Sequence, residues 1–290
     1  MDVLRARMDD LAYEDAIRYC ANSILPMHFG EKLINKIFGR NLQSHAAGLL
    51  AVMHCEAELG IGERPTLTRI QGEMGRSRTL SSFFALLRFA RFIEAVDHPE
   101  DRRTKVLLAK APLLDGLKTW LAHHMTCAEV AGLLPTGMTH KLQTDEDFSL
   151  RYIAAARLMF DRVRAHLAHG DDAWCWFDNF DCGDRMALAL LRAHYEHPGE
   201  PETRWFLLET RQLADRLGIS HSHVRNVLNG AEVRGFVVQD RRTHHVALTE
   251  LMLDDIRNYH LSFWSWVADS ADQATSIVPP PGEHAIAVVR

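Results

Sequence analysis

Asp101-Arg102-Arg103-Thr104 returns 139 positions later as Asp240-Arg241-Arg242-Thr243. Each copy follows a stretch that reads as two short helices joined by a glycine turn, and each precedes β-type residues and a longer helical run. The residues just upstream match in kind, Ala90-Arg91-Phe92-Ile93 against Arg234-Gly235-Phe236-Val237. A chain carrying two copies of one architectural unit is the reading that follows.

Working outward from the second copy, Arg211-Gln212-Leu213-Ala214-Asp215-Arg216-Leu217-Gly218-Ile219-Ser220 is a helix-turn-helix phrase. Ala214 is small where two helices cross, Gly218 makes the turn and Ser220 caps the next helix. Val224, Val227 and Leu228 then face inward, leaving His221, Ser222, His223, Arg225, Asn226 and Asn229 exposed or partly so; with the Ser220 cap, all of these but Asn229 make up the second candidate contact surface. Around the first copy, Thr66 caps a helix with Leu67, Ile70 and Met74 inside, Gly75 turns the chain, and a helix from Thr79 buries Leu80, Phe84 and Leu87. Its other face shows Ser81, Ser82, Ala85 and Arg88, preceded by Arg76, Ser77, Arg78 and Thr79. Small, hydroxylated and basic side chains enter a major groove without conflict, bond phosphate, and offer Arg or Asn to guanine or adenine edges. Residues 93–96 and 104–108 read as strands of a hairpin whose tip carries Arg102 and Arg103; Arg241 and Arg242 occupy the second tip.

The order of helix, short helix, turn, outward-facing helix, hairpin with an acidic-and-arginine tip and long helix, over roughly residues 42–122, resembles the winged helix-turn-helix domain of MarR-type transcriptional regulators. The resemblance implies sequence-specific binding of double-stranded DNA and an aromatic effector held near the joint between the DNA-binding and dimerising parts. A chain of that family carries one head and pairs with a second chain; here two unlike heads share one chain, so an asymmetric or compound site is expected. The alternative is a scaffold acting through protein contacts.

The fold expected is mainly α with small β-wings: tandem winged helix-turn-helix domains at 41–124 and 181–268, joined by a linker at 125–180; the stretch 123–148 reads as loop-rich, and one long helix over 149–169, capped by Ser149, could act as a spacer between the heads. A helical extension precedes them at 1–40, broken near Pro26, and serves either packing or dimerisation. An irregular tail follows at 269–290. Trp174, Trp176 and Phe177 form the densest aromatic cluster; such clusters pack interdomain joints, and a planar apolar ligand is the sharper alternative.

Charge distribution supports the phosphate-binding reading. Residues 64–110 hold ten basic and five acidic groups and residues 204–245 hold seven and four, so with a net charge of −5 the remainder carries −13: two positive heads on an acidic body. At 47% hydrophobic and 24% charged the chain is globular in type, with no apolar run near the ~18 residues of a membrane span and no signal-peptide pattern at the N-terminus; no membrane partner and a cytoplasmic location are expected. Five scattered cysteines suit reduced thiols. Cys175 and Cys182 with His194 or His197 match no zinc spacing, and His221, His223, His244 and His245 lack a supporting carboxylate or cysteine, so no metal and no cofactor is expected. With no P-loop, dinucleotide turn or nucleophile elbow, an enzyme is not expected. The oligomeric form is either a monomer with an internal pseudo-repeat or a homodimer.

Overall fold

The computed structural model describes residues 10–75, 77–99, 101, 103–197 and 204–278. The chain is mainly helical with two small antiparallel sheets, and no helix among the described residues is long and apolar enough to cross a membrane. The order is α1 (Asp10–Ile24), a 3-10 turn (Leu25–Met27), α2 (Lys32–Phe38), α3 (Asn41–Glu58), α4 (Leu67–Met74), α5 (Arg78–Phe89), β1 (Ile93–Asp97), β2 (Lys105–Ala109) and α6 (Ala111–Val130). After α7 (Met138–Thr144) the same succession returns: α8 (Glu146–Ala155) with α9 (Arg157–His169), α10 (Ala173–Asp178), α11 (Gly183–Glu196), β3 (Phe206–Leu207), α12 (Thr210–Leu217), α13 (His221–Val233), β4 (Val237–Asp240), β5 (His245–Leu248) and α14 (Glu250–Ser276).

Local chemistry repeats with the elements. Gly75 and Gly218 both take positive φ between the paired short helices, where a side chain would be strained. Ser77 and Ser220 cap α5 and α13 by accepting the backbone N–H of Thr79 and His223. Arg91 and Gly235 both have positive φ after those helices, and Phe92 N–H to Leu87 C=O is matched by Phe236 N–H to Ala231 C=O, each 2.9 Å. In the second sheet the strand order is β3-β5-β4. In the first, a single bridge from Thr66 to Val106 stands where β3 would be, beside the β1–β2 ladder running from Ile93↔Ala109 to Asp97↔Lys105.

The packing between elements repeats as well. α1 lies on α6 of its own half and on α11 of the other; correspondingly α8 lies on α14 of its own half and on α3 of the other, while α6 packs against α14. The α2–α3 joint meets its counterpart, the α10–α11 joint: Cys182 N–H donates to Gly39 C=O at 2.7 Å, Arg185 donates to Phe38 C=O at 2.9 Å, and Arg40 pairs with Asp181 at 2.8 Å. Corresponding surfaces meeting each other is the isologous contact of a two-fold arrangement, here within one chain. One core runs from α1 through α6, α8–α11 and α14 into the second sheet; a smaller one, centred on Leu50, Phe83, Phe84 and Leu87, sits under α5 and the first hairpin.

Several expectations need correction. The stretch 123–148, read as loop-rich, is largely α6 and α7, and it packs into the main core through Cys127, Ala128 and Leu142. Instead of one helix over 149–169 there are two, α8 and α9, separated at Ala156; Asp145, not Ser149, supplies the cap, accepting Phe148 N–H. Ser149 is buried, as are Phe148 and Tyr152, so these helices are no free spacer: they are the second half's counterpart of α1, and α10 is that of α2. The turn motifs gave no hint of this because only the heads share letters. At the other end α14 continues to Ser276 rather than stopping near 268, with Ala271 and Ala274 buried; the expected irregular tail from 279 onward lies outside the described residues.

Candidate nucleic-acid interface

α5 turns Leu80, Phe83, Phe84 and Leu87 inward and leaves Arg78, Thr79, Ser81, Ser82 and Arg88 exposed, the 3.6-residue period sorting one face from the other. Gln71 on α4 steadies the start of this face, its Nε2 donating to Ser77 C=O at 3.1 Å and to Ser81 Oγ at 3.2 Å. On α13, Val224, Val227 and Leu228 are buried, and Ser222, Arg225 and Asn226 are exposed. Asn229, read as part of the same outward face, continues it one turn on and is also exposed.

Not every candidate points outward. His221 is half-buried with Nε2 2.9 Å from Thr210 Oγ1, and His223 Nε2 donates to Asp181 C=O at 3.1 Å. The first turn of α13 packs against α12 and the α10–α11 joint, so these rings fasten the helix rather than extend its free face. Ser220 Oγ is likewise engaged as the cap and by Ser222 Oγ at 3.0 Å. Arg76 and Arg102 lie outside the described residues.

The repeated phrase has a structural cause at both hairpin tips. Asp101 accepts Arg103 N–H at 3.0 Å and the Thr104 hydroxyl at 2.8 Å; Asp240 accepts Arg242 N–H at 2.9 Å and the Thr243 hydroxyl at 2.8 Å. The Asp and Thr therefore build the turn, and the arginine between them is displayed. Both carboxyls are held below the usual range, Asp101 chiefly by the backbone of Arg103 and Asp240 chiefly by the Thr243 hydroxyl. Arg103 and Arg242 are exposed. Arg241 instead pairs with Glu232 at 2.5 Å, and in the first hairpin Lys105 pairs with Asp97 and Lys110 with Glu94. A groove of about 300 Å³ runs between α13 and the second hairpin, lined by Arg225, Asn229, Gln239, Arg241 and His244 among others.

A second cavity, about 280 Å³, opens where the two halves meet. Phe38, Trp120, Phe160, Trp174 and Tyr259 give it apolar walls, with Asn41, His45, Asp178, Asp184 and Arg185 as its polar lining. Trp174 stacks on Tyr259, centroids 4.8 Å apart. Of the three aromatic residues singled out in the sequence, Trp174 alone lines this cavity: Phe177 is fully buried, and Trp176 packs edge-on to Phe177 and Phe180 and tilts against Phe236. Burial pushes Asp178 up to about 8, helped by the neighbouring Asp184 charge, and pushes His28 and His45 down to about 4. Cys175 hydrogen-bonds Asp172 at 3.4 Å and, among the described residues, groups with His166 and Asp172 rather than with Cys182 or His194.

No protein-family model matches the chain, and comparison with characterised proteins and with solved structures finds no match to either its sequence or its fold.

Proposed function

We propose that the chain is a sequence-specific double-stranded DNA-binding regulator whose two heads are winged helix-turn-helix units of MarR-like type, set against each other as a dimer is but within one polypeptide. The observation that carries this reading is that α5 and α13, counterparts in the repeat, each bury one face and expose another bearing hydroxyls and arginine, beside a hairpin whose tip displays an arginine. Two-fold related helix-turn-helix heads read two half-sites on one duplex. Since Ser81, Ser82 and Arg88 differ from Ser222, Arg225 and Asn226, the two half-sites differ in sequence. The cavity between the halves, with Trp174 in its wall, is where a small aromatic effector would bias their spacing.

Selection of bound duplexes from a random pool, followed by titration in salt, tests the reading. Arg78, Arg103 and Arg242 are the described cations best placed for phosphates, and three such contacts give a slope of about −3 in log K against log salt, roughly a 40-fold loss between about 50 and 200 mM. Binding that ignores salt, or a selection that enriches no sequence, refutes the proposal. One set of observations favours a protein-contact scaffold instead: Phe89 and Val233, at corresponding ends of α5 and α13, are 86% and 88% exposed, and several hairpin cations are already paired. The same titration separates the two, because an apolar protein contact is insensitive to salt.

A further inference from the structure

Four metal-ligating side chains gather in the core beneath the contact between α6 and α14, apart from the outward helices and hairpin tips of both heads. Cys20 comes from α1, His124 and Cys127 from one turn of α6, and His260 from α14; all four are buried. One ligand atom each from Cys20, His124 and Cys127 lies within 4.8 Å of the others; His260 stands outside that triplet and neighbours the Cys20 thiol from α14. His260 Nδ1 lies 2.9 Å from Ile256 C=O. A carbonyl only accepts, so Nδ1 carries the proton and Nε2 keeps a free lone pair, the tautomer and orientation that metal-bound histidines receive from their outer partners. His124 Nδ1 is buried without a hydrogen-bond partner, its ring held edge-on by Trp120 and Phe263 at 4.4 and 4.8 Å.

The internal repeat supplies a control. Lys110 caps α6 and Thr249 caps α14, 139 positions apart, and each donates its N–H to the corresponding phenylalanine, Phe92 or Phe236. By that register His124 and Cys127 correspond to Phe263 and Trp266, and His260 corresponds to Leu121. The packing of these long helices is thus satisfied in the mirrored place by apolar side chains. Cys127 and both imidazoles thus stand at positions whose counterparts in the repeat are hydrocarbon or aromatic, and burying two imidazoles there carries a desolvation cost that packing does not explain.

We propose that Cys20, His124, Cys127 and His260 bind one zinc ion that fastens α1 to the paired helices α6 and α14. On binding, two thiols release their protons to solvent and form two zinc–sulfur bonds, and two neutral imidazoles donate lone pairs, so the dication and two thiolates sum to zero charge in the core. With all four positions filled from the protein, the ion has no place for a water and its role is structural. Three ligands of this set come from helices at the contact between halves, so zinc occupancy and the relative placement of the halves are linked.

The test uses the untagged full chain, purified in metal-depleted buffer and analysed for metal by mass spectrometry, then reconstituted with cobalt in place of zinc. One zinc per chain is expected, with thiolate-to-cobalt charge-transfer absorption and the strong visible bands of a tetrahedral site. Cys127→Ala and His260→Phe lose the metal or the tetrahedral spectrum, whereas Cys175→Ala, in the separate His166–Asp172 grouping, keeps both. A folded wild-type chain without stoichiometric metal that takes up no cobalt overturns the proposal, as does a Cys20–Cys127 disulfide or loss of metal in Cys175→Ala alone. Should the core variants not fold, wild-type metal content and the cobalt spectrum decide.

Discussion

Replacing Asp178 by asparagine isolates the electrostatics of the junction between the halves. Burial, with the Asp184 charge adding to it, raises this carboxyl from 3.8 to about 8, against the lowering effect of Arg185 and of the hydrogen bond from Asn41. Because the folded-state value lies above the unfolded one, the protonated acid is the form that folding favours. Its contribution is complete below about pH 4 and is lost as pH rises toward 8, at about 1.4 kcal/mol per pH unit between those values. From about pH 5 to 7 that amounts to about 2.5 kcal/mol, a ceiling, since the side chain is only partly buried and water in the cavity screens the ionised form. Asparagine reproduces the neutral acid's shape, accepts the same bond from Asn41, and does not titrate. Urea unfolding of both proteins at a series of pH values, at fixed ionic strength, gives the difference directly. His28, His45 and His194, each lowered to about 4 by burial, contribute the opposite slope, stability lost as pH falls from about 6.5 through 4. They are common to both proteins and cancel in the difference. The variant should therefore gain on the wild type as pH rises, by up to about 5 °C in Tm near neutrality. A difference that stays flat from pH 5 to 8 means that Asp178 remains ionised beside Arg185, and the account of burial at this junction fails.

Gly183→Ala should cost about 3 kcal/mol or more in thermal or urea unfolding, because the new Cβ would sit 1.7 Å from the backbone oxygen of Phe177, which a rotamer change cannot move. Arg157 on α9 forks onto Glu56 of α3 and reaches Glu73 of α4 at 3.0 Å; Arg157→Ala leaves a half-buried carboxylate unpaired and should cost about 2 kcal/mol, with Arg157→Lys recovering less than half because it lacks the fork. Asp240→Ala should leave stability nearly unchanged yet weaken duplex binding measured by fluorescence anisotropy, since the tip loses both bonds that shape it; unchanged binding would remove the second hairpin from the interface. Arg225→Ala should alter the selected sequence at one half-site, at about 1 to 3 kcal/mol for the contacted base, while Arg242→Ala should lower affinity evenly across sequences.

What could be read from the residues is what local chemistry dictates. Thr66, Ser220 and Thr249 cap helices through their own hydroxyls, Gly75 and Gly218 sit at turns with positive φ, and the period of Leu80, Phe84 and Leu87 names the buried face. The paired Asp–Thr turns explain why four letters recur. What escaped is set by distant contacts. α8 to α10 share no phrase with α1 and α2, and their equivalence appears only in which helices they touch. His221 and His223 look like free polar residues until Thr210 and Asp181 are brought against them. Cys20 and His260 stand at opposite ends of the chain, and no spacing rule joins them.

The meeting of Gly39 with Cys182 across the joint between halves has a further consequence. Two separate copies held by such a contact would part on dilution and could settle on a partner either way round. Here α7 lies in the stretch that tethers the halves, so their association is unimolecular and indifferent to concentration. Because the tethered halves are unlike, the molecule has a front and a back, and under the proposed function a bound duplex would acquire an arrow.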